Sequence, residues 1–106
     1  MVAEAISTAK PGVQFTAPRN LNEQVLWNVV IDAPSLGQPL KGMNKDLSFP
    51  ADAGFQKMQA THQLPDGTNI TIHYQYNFNT GKAYDMKITT PERNNLQPSN
   101  SIMKGD

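Results

Sequence analysis

Between Phe55 and Thr90 the chain reads FQKMQATHQLPDGTNITIHYQYNFNTGKAYDMKITT, a regular alternation of apolar and polar residues interrupted only by two turn sequences. A period of two sends successive side chains to opposite faces of a sheet. The alternation assigns Met58, Ala60, Leu64, Ile70, Ile72, Tyr74, Tyr76, Tyr84, Met86 and Ile88 to an apolar face. It assigns Lys57, Gln59, Thr61, Gln63, Thr71, His73, Gln75, Asp85, Lys87 and Thr89 to a polar face. Three strands of an antiparallel sheet are therefore expected. Leu64-Pro65-Asp66-Gly67 supplies the first turn, because Pro presets φ and Gly takes the left-handed position. Asn77 to Gly81 supplies the second, longer one.

A twisted sheet with one apolar face needs a cover. Asn20 to Asp32 offers it. Asn20 suits a helix N-cap, Glu23 stands three residues on as in a capping box, and Leu21, Val25, Leu26, Val29 and Val30 form a stripe at helical spacing. Trp27 lies beside the stripe as an anchor of the core. The expected architecture is α+β, with an N-terminal helix or helices packed on a small twisted antiparallel β-sheet. Residues 1–19 read as a lead-in, with a helical turn or two at Ala3 to Lys10 and a short edge strand at Val13 to Thr16. Residues 20–106 read as one domain, as the length of 106 suggests. Ala33 to Gly54 holds three prolines and three glycines and reads as a long irregular connection. The tail after Pro91 is polar and broken by Pro98, with Ile102-Met103 available as a terminal strand or plug.

Nine basic and nine acidic residues cancel. Non-specific nucleic-acid affinity comes mainly from neutralised phosphates, so a generic polyanion binder is disfavoured. With no cysteine, disulfides, thiolate zinc sites and thiol nucleophiles are excluded. Two histidines and scattered carboxylates lack the spacing of a metal site, and no Gly-rich phosphate loop or nucleophile elbow is present. No cofactor is expected. No apolar run reaches membrane-spanning length.

The polar face holds the best chemistry. His73 lies mid-strand, and an imidazole titrates near neutrality, so it can take and return a proton. In-register pairing brings Lys87 or Asp85 across the ladder. Lys87 would stabilise a phosphorane, Asp85 would orient the imidazole, and Thr71 and Thr89 would hold phosphate oxygens. Lys57, with Lys41 and Lys45 in the long loop beside Asn44 and Asp46, would contact substrate. Phe78, a large aromatic in a turn, suits a stacked base or a partner. His62 falls in phase with the apolar residues and is expected to be half-buried with a backbone partner; a second general acid is its alternative role, and pairing register decides whether His62 or His73 is the working imidazole. An RNA 2′-hydroxyl supplies its own nucleophile, so a base, an acid and a charge stabiliser suffice for cleavage.

The segments VLWNVVIDAPSLGQPLKGMNKD, FPADAGFQKMQATHQLPDGTNITIHYQYN and TGKAYDMKIT together resemble the C-terminal toxin domains of bacterial contact-dependent growth inhibition proteins and related polymorphic toxins. Many such domains are RNases aimed at tRNA. Several are similar in fold to barnase, EndoU, the colicins and RelE, with helices preceding an antiparallel sheet. The resemblance implies the C-terminal part of an exported cell-surface protein, delivered to the cytoplasm of a target bacterium without stable membrane association. It implies a cognate immunity protein, and in some members a requirement for elongation factor Tu. The neutral charge departs from the basic character of many such nucleases and fits recruitment through a host protein that already holds the RNA. The resemblance carries no catalytic motif, so the site residues rest on strand alternation alone. A non-catalytic binding or assembly module, using the long loop, Phe78 or a sheet edge, is the alternative.

Overall fold

A computed structural model describes residues 6–43 and 46–90. One helix, α1 (Leu21–Asp32), packs against a four-stranded antiparallel sheet in the order β1 (Gln38–Pro39), β2 (Phe55–Gln63), β3 (Asn69–Asn77), β4 (Ala83–Ile88). This is a small α+β fold, as the alternation and the helical stripe require.

The helix starts where its cap dictates. Asn20 is extended, and its Oδ1 accepts the Glu23 N–H at 2.9 Å. The Glu23 carboxylate does not close a capping box. It accepts from the Arg19 N–H at 2.8 Å and from Arg19 Nη2 at 2.7 Å. Arg19 also donates to the Thr90 carbonyl at 2.6 Å and lies 4.0 Å above the Phe15 ring. This clamp ties the helix to the end of β4 and sets which face turns inward. Glu23, Leu26 and Val30 are the buried helix residues, with Trp27 partly buried at the margin. Leu21, Val25 and Val29, which the stripe placed in the core, are exposed. Glu23, held by Arg19, takes the inward position they were expected to share. At the other end Pro34 stops the helix, and its carbonyl accepts the Tyr74 hydroxyl at 2.6 Å.

Both expected hairpins form. Gly67 (φ 90°) donates to Leu64 O at 2.9 Å, and Gly81 (φ 71°) donates to Asn77 O at 2.8 Å. The connection from Ala33 to Gly54 is less irregular than its prolines suggest. It contains two short 3-10 turns and the edge strand β1, where Pro39 sits opposite Met58. Before the helix, residues 6–10 are not helical, while Phe15 bridges to Ile88 on the outer side of β4. The expected roles of Ala3 to Ala5 and of Ile102-Met103 fall outside the described residues.

One backbone detail rearranges the sheet. His73 pairs with Lys87, but Gln75 pairs with Tyr84, so Asp85 and Met86 together oppose Tyr74. This is a β-bulge, and Asp85 carries the left-handed φ of 52° that aspartate tolerates. The extra residue reverses the phase of β4. Tyr84, expected on the apolar face beside Tyr74 and Ile88, points to the other side. Two clusters result. Leu26, Val30, Met58, Ile70, Ile72, Tyr74 and Ile88 form the core under α1. Phe49, Phe55 and Tyr84 form a second on the opposite face, with Ile6 against it and edge-to-face ring contacts at 5.1 and 5.4 Å. The polar face is thus partly roofed by residues near Ile6 and Phe49. Among the described residues no helix is long and apolar enough to cross a membrane.

Candidate functional site

On the face away from α1 the register arranges side chains in cross-strand rows. Lys57, Gln75 and Tyr84 make one row, and Gln59, His73 and Lys87 the next. Thr61 and Thr71 follow, with the Thr89 N–H donating to Thr71 O at 3.1 Å. Asp85 enters from the bulge between the first two. One end of this floor is closed by the Phe49–Phe55–Tyr84 cluster; toward His73, Thr71 and Thr89 it becomes partly exposed.

Lys57 and Lys87 are close enough for the charge of one to act on the other. Two ammonium groups so close repel unless an anion bridges them or one gives up its proton. Burial first, then Lys87, pushes the Lys57 amine below its ordinary pKa, with Asp85 and Asp46 partly opposing the fall. His73 is also pushed below the usual imidazole value, by burial and then by Lys57 and Lys87. The imidazole is therefore held neutral at physiological pH, the form that accepts a proton.

Lys87 is 6% exposed and Asp85 8%. Lys87 Nζ lies 3.6 Å from Asp85 Oδ2 and donates to the Thr8 hydroxyl. Thr8 in turn donates its N–H to Asp85 Oδ1 at 2.7 Å and its hydroxyl to Asp85 Oδ2 at 2.6 Å. Asp85 was expected to orient His73; its oxygens instead bind Thr8 and face Lys87, because the bulge carries the carboxylate toward the N-terminal segment. Gln75 is 1% exposed, and among the described residues its Oε1 has no donor. An acceptor buried in this way costs about 1–3 kcal/mol unless a hydroxyl or water reaches it.

Other expected contributors lie apart. Lys41 is exposed in the turn after β1, and Lys45 falls outside the described residues. Phe78 is exposed in its turn but stacks edge-on against Tyr76 at 5.2 Å, a residue of the α1 side of the sheet. His62, expected half-buried, is exposed near the end of β2 beside the hairpin. Its partner Ile70 fills the core, but β1 covers β2 only at Met58 and Gln59, and His62 lies beyond it in solvent. Among the described residues no three His, Asp or Glu side chains gather as a metal-binding group. Thr8 gave no signal in sequence, since it lies 77 positions from Asp85.

Comparison of the chain with protein-family models, curated proteins and solved structures gives no match. The geometry itself offers a neutral imidazole beside two adjoining lysines. That set can take a proton from a hydroxyl and stabilise charge on an oxyanion.

Proposed function

We propose that this chain is a metal-independent ribonuclease, acting on tRNA, from the toxin end of an exported bacterial protein. The observation that carries the reading is the position of His73, held neutral, opposite Lys87 and beside Lys57. In the proposed reaction His73 takes the proton of a ribose 2′-hydroxyl. The 2′-oxygen attacks phosphorus and the bond from phosphorus to the 5′-oxygen breaks. Lys87 holds the charge on the phosphorane, and Lys57, an ammonium of lowered pKa, gives a proton to the leaving oxygen. Thr71 and Thr89 line the open end of the same floor, where the phosphate oxygens would sit. A neutral net charge fits RNA delivered by a carrier, and elongation factor Tu is the carrier the resemblance suggests. A cognate immunity protein would protect the producing cell.

The test is incubation of the purified chain with total tRNA, with and without elongation factor Tu and GTP, beside His73→Ala. Cleavage that His73→Ala abolishes supports the reading. Cleavage that survives in His73→Ala moves the active site elsewhere, and no cleavage in either condition refutes the reading.

The alternative is a binding module. Leu21, Val25 and Val29, at 77%, 54% and 48% exposure, give α1 an apolar outer flank that favours it. On that reading His73→Ala would change neither partner binding nor toxicity.

A further inference from the structure

We propose that residues 6–9 form a strap that keeps the anion site shut, and that phosphate reaches Lys87 only when Thr8 leaves it. The inference rests on the reading of this floor as a phosphodiester site and adds its regulation.

Thr8 reaches from the strap into the site and makes three contacts there. Its N–H and hydroxyl donate to the two oxygens of Asp85, at 2.7 and 2.6 Å, and its hydroxyl accepts from Lys87 Nζ. The acceptor position at Lys87 that a phosphate oxygen needs is therefore filled by the protein's own hydroxyl. With the strap in place the side chains of Lys87 and Asp85 are 7% and 1% exposed. Neither side chain offers more than a sliver of surface to an anion in solution.

The strap is held by Thr8 and Ile6 rather than by a helix or a sheet ladder. Residues 6–10 belong to no helix or strand. Ile6 anchors the strap at its near end, partly buried against Phe49, Phe55 and Tyr84. Between Ile6 and Ser7 on one side and Asp85, Met86 and Trp27 on the other lies a cleft of about 270 Å³. Lifting Thr8 takes the hydroxyl acceptor from Lys87, which lies beside Lys57 with Asp85 and Asp46 nearby, and leaves that ammonium in need of another acceptor. Thr8 and phosphate thus compete for one cation, and the apparent affinity for phosphate is the intrinsic affinity scaled by the fraction of molecules with the strap lifted.

The experiment is an NMR-monitored titration of the full chain with inorganic phosphate, comparing wild type, Thr8→Val, Thr8→Ser and Ile6→Ala. Thr8→Val removes the hydroxyl at nearly constant shape. Ile6→Ala loosens the anchor at its packing against Phe49, Phe55 and Tyr84 and leaves Thr8 in place, so it serves if Thr8→Val fails to fold. Thr8→Val and Ile6→Ala are expected to bind phosphate about tenfold more tightly than wild type, for a strap closed about nine-tenths of the time. Thr8→Ser is expected to match wild type. Phosphate binding that is no tighter in Thr8→Val and Ile6→Ala, or absent from all four proteins, overturns the strap. Cleavage of tRNA by the same samples separates the two ideas. Tighter phosphate binding without cleavage sinks the ribonuclease and leaves the strap. Cleavage with unchanged phosphate affinity sinks the strap and leaves the ribonuclease.

Discussion

Replacing Asp85 with Asn isolates the charge that holds the polar floor together. Asparagine is isosteric with aspartate and tolerates the left-handed φ of 52°, so the bulge should persist. Its amide oxygen still accepts the Thr8 N–H, and its amide nitrogen can donate to the Thr8 hydroxyl. What disappears is the negative charge 3.6 Å from Lys87 Nζ. At an effective dielectric near 20 that pair attracts by roughly 4–5 kcal/mol before desolvation is counted. Removing one partner of a buried pair typically costs about 3–5 kcal/mol, since the other charge stays buried. Lys87 keeps the Thr8 hydroxyl as an acceptor, which places the expected loss near the lower end, about 3 kcal/mol. Against a total stability of about 5–15 kcal/mol this is large. Urea unfolding monitored by tryptophan fluorescence measures it, as a midpoint lowered by roughly 1–2 M at an unchanged slope. Lys87→Met should cost less, because Asp85 retains both Thr8 donors. The double variant should sit close to Lys87→Met alone, giving a coupling of about 3 kcal/mol. An Asp85→Asn protein within about 0.5 kcal/mol of wild type, or additive effects in the cycle, would refute the reasoning.

Three further outcomes are expected. His73 has its pKa lowered from 6.5 in the folded chain, so the unfolded chain binds the proton first as pH falls. Its contribution to stability is complete above about 6.5 and declines between that value and the lower folded pKa. Urea midpoints at pH 7.5 and 5.5 should differ less in His73→Gln than in wild type. Tyr74→Phe removes the 2.6 Å hydrogen bond to Pro34 O and should cost about 1–2 kcal/mol, measured by thermal unfolding. Asn20→Ala removes the cap on the Glu23 N–H and should cost about 1 kcal/mol, with hydrogen exchange faster in the first turn of α1.

Features governed by local chemistry were legible in the sequence. The two Gly-ended turns, the strand alternation and the Asn20 cap are each readable within a few residues, and they suffice for a helix on an antiparallel sheet. The alternation also brought His73, Lys87 and Lys57 to one face. Features that depend on distant parts of the chain were not legible. One extra residue at Asp85-Met86 sends Tyr84 to the opposite face, and nothing in AYDMKI distinguishes a bulged strand from a regular one. That reversal creates the second aromatic cluster, which roofs a face expected to meet solvent. Thr8, in a stretch read as a lead-in, joins the site only through tertiary folding. The helix stripe was too broad to choose its own inward line; the Arg19–Glu23–Thr90 clamp chooses it, and so leaves Leu21 and Val25 outside.

The chemistry of the RNA ends tests the proposed ribonuclease most directly. Total tRNA is treated with the chain in the presence of elongation factor Tu and GTP, and the new 3′ ends are identified by mass spectrometry at short times. Attack by the 2′-oxygen with His73 as base requires a 2′,3′-cyclic phosphate, present with wild type and missing with His73→Ala. Linear phosphate ends with no cyclic precursor, or intact tRNA throughout, would contradict it.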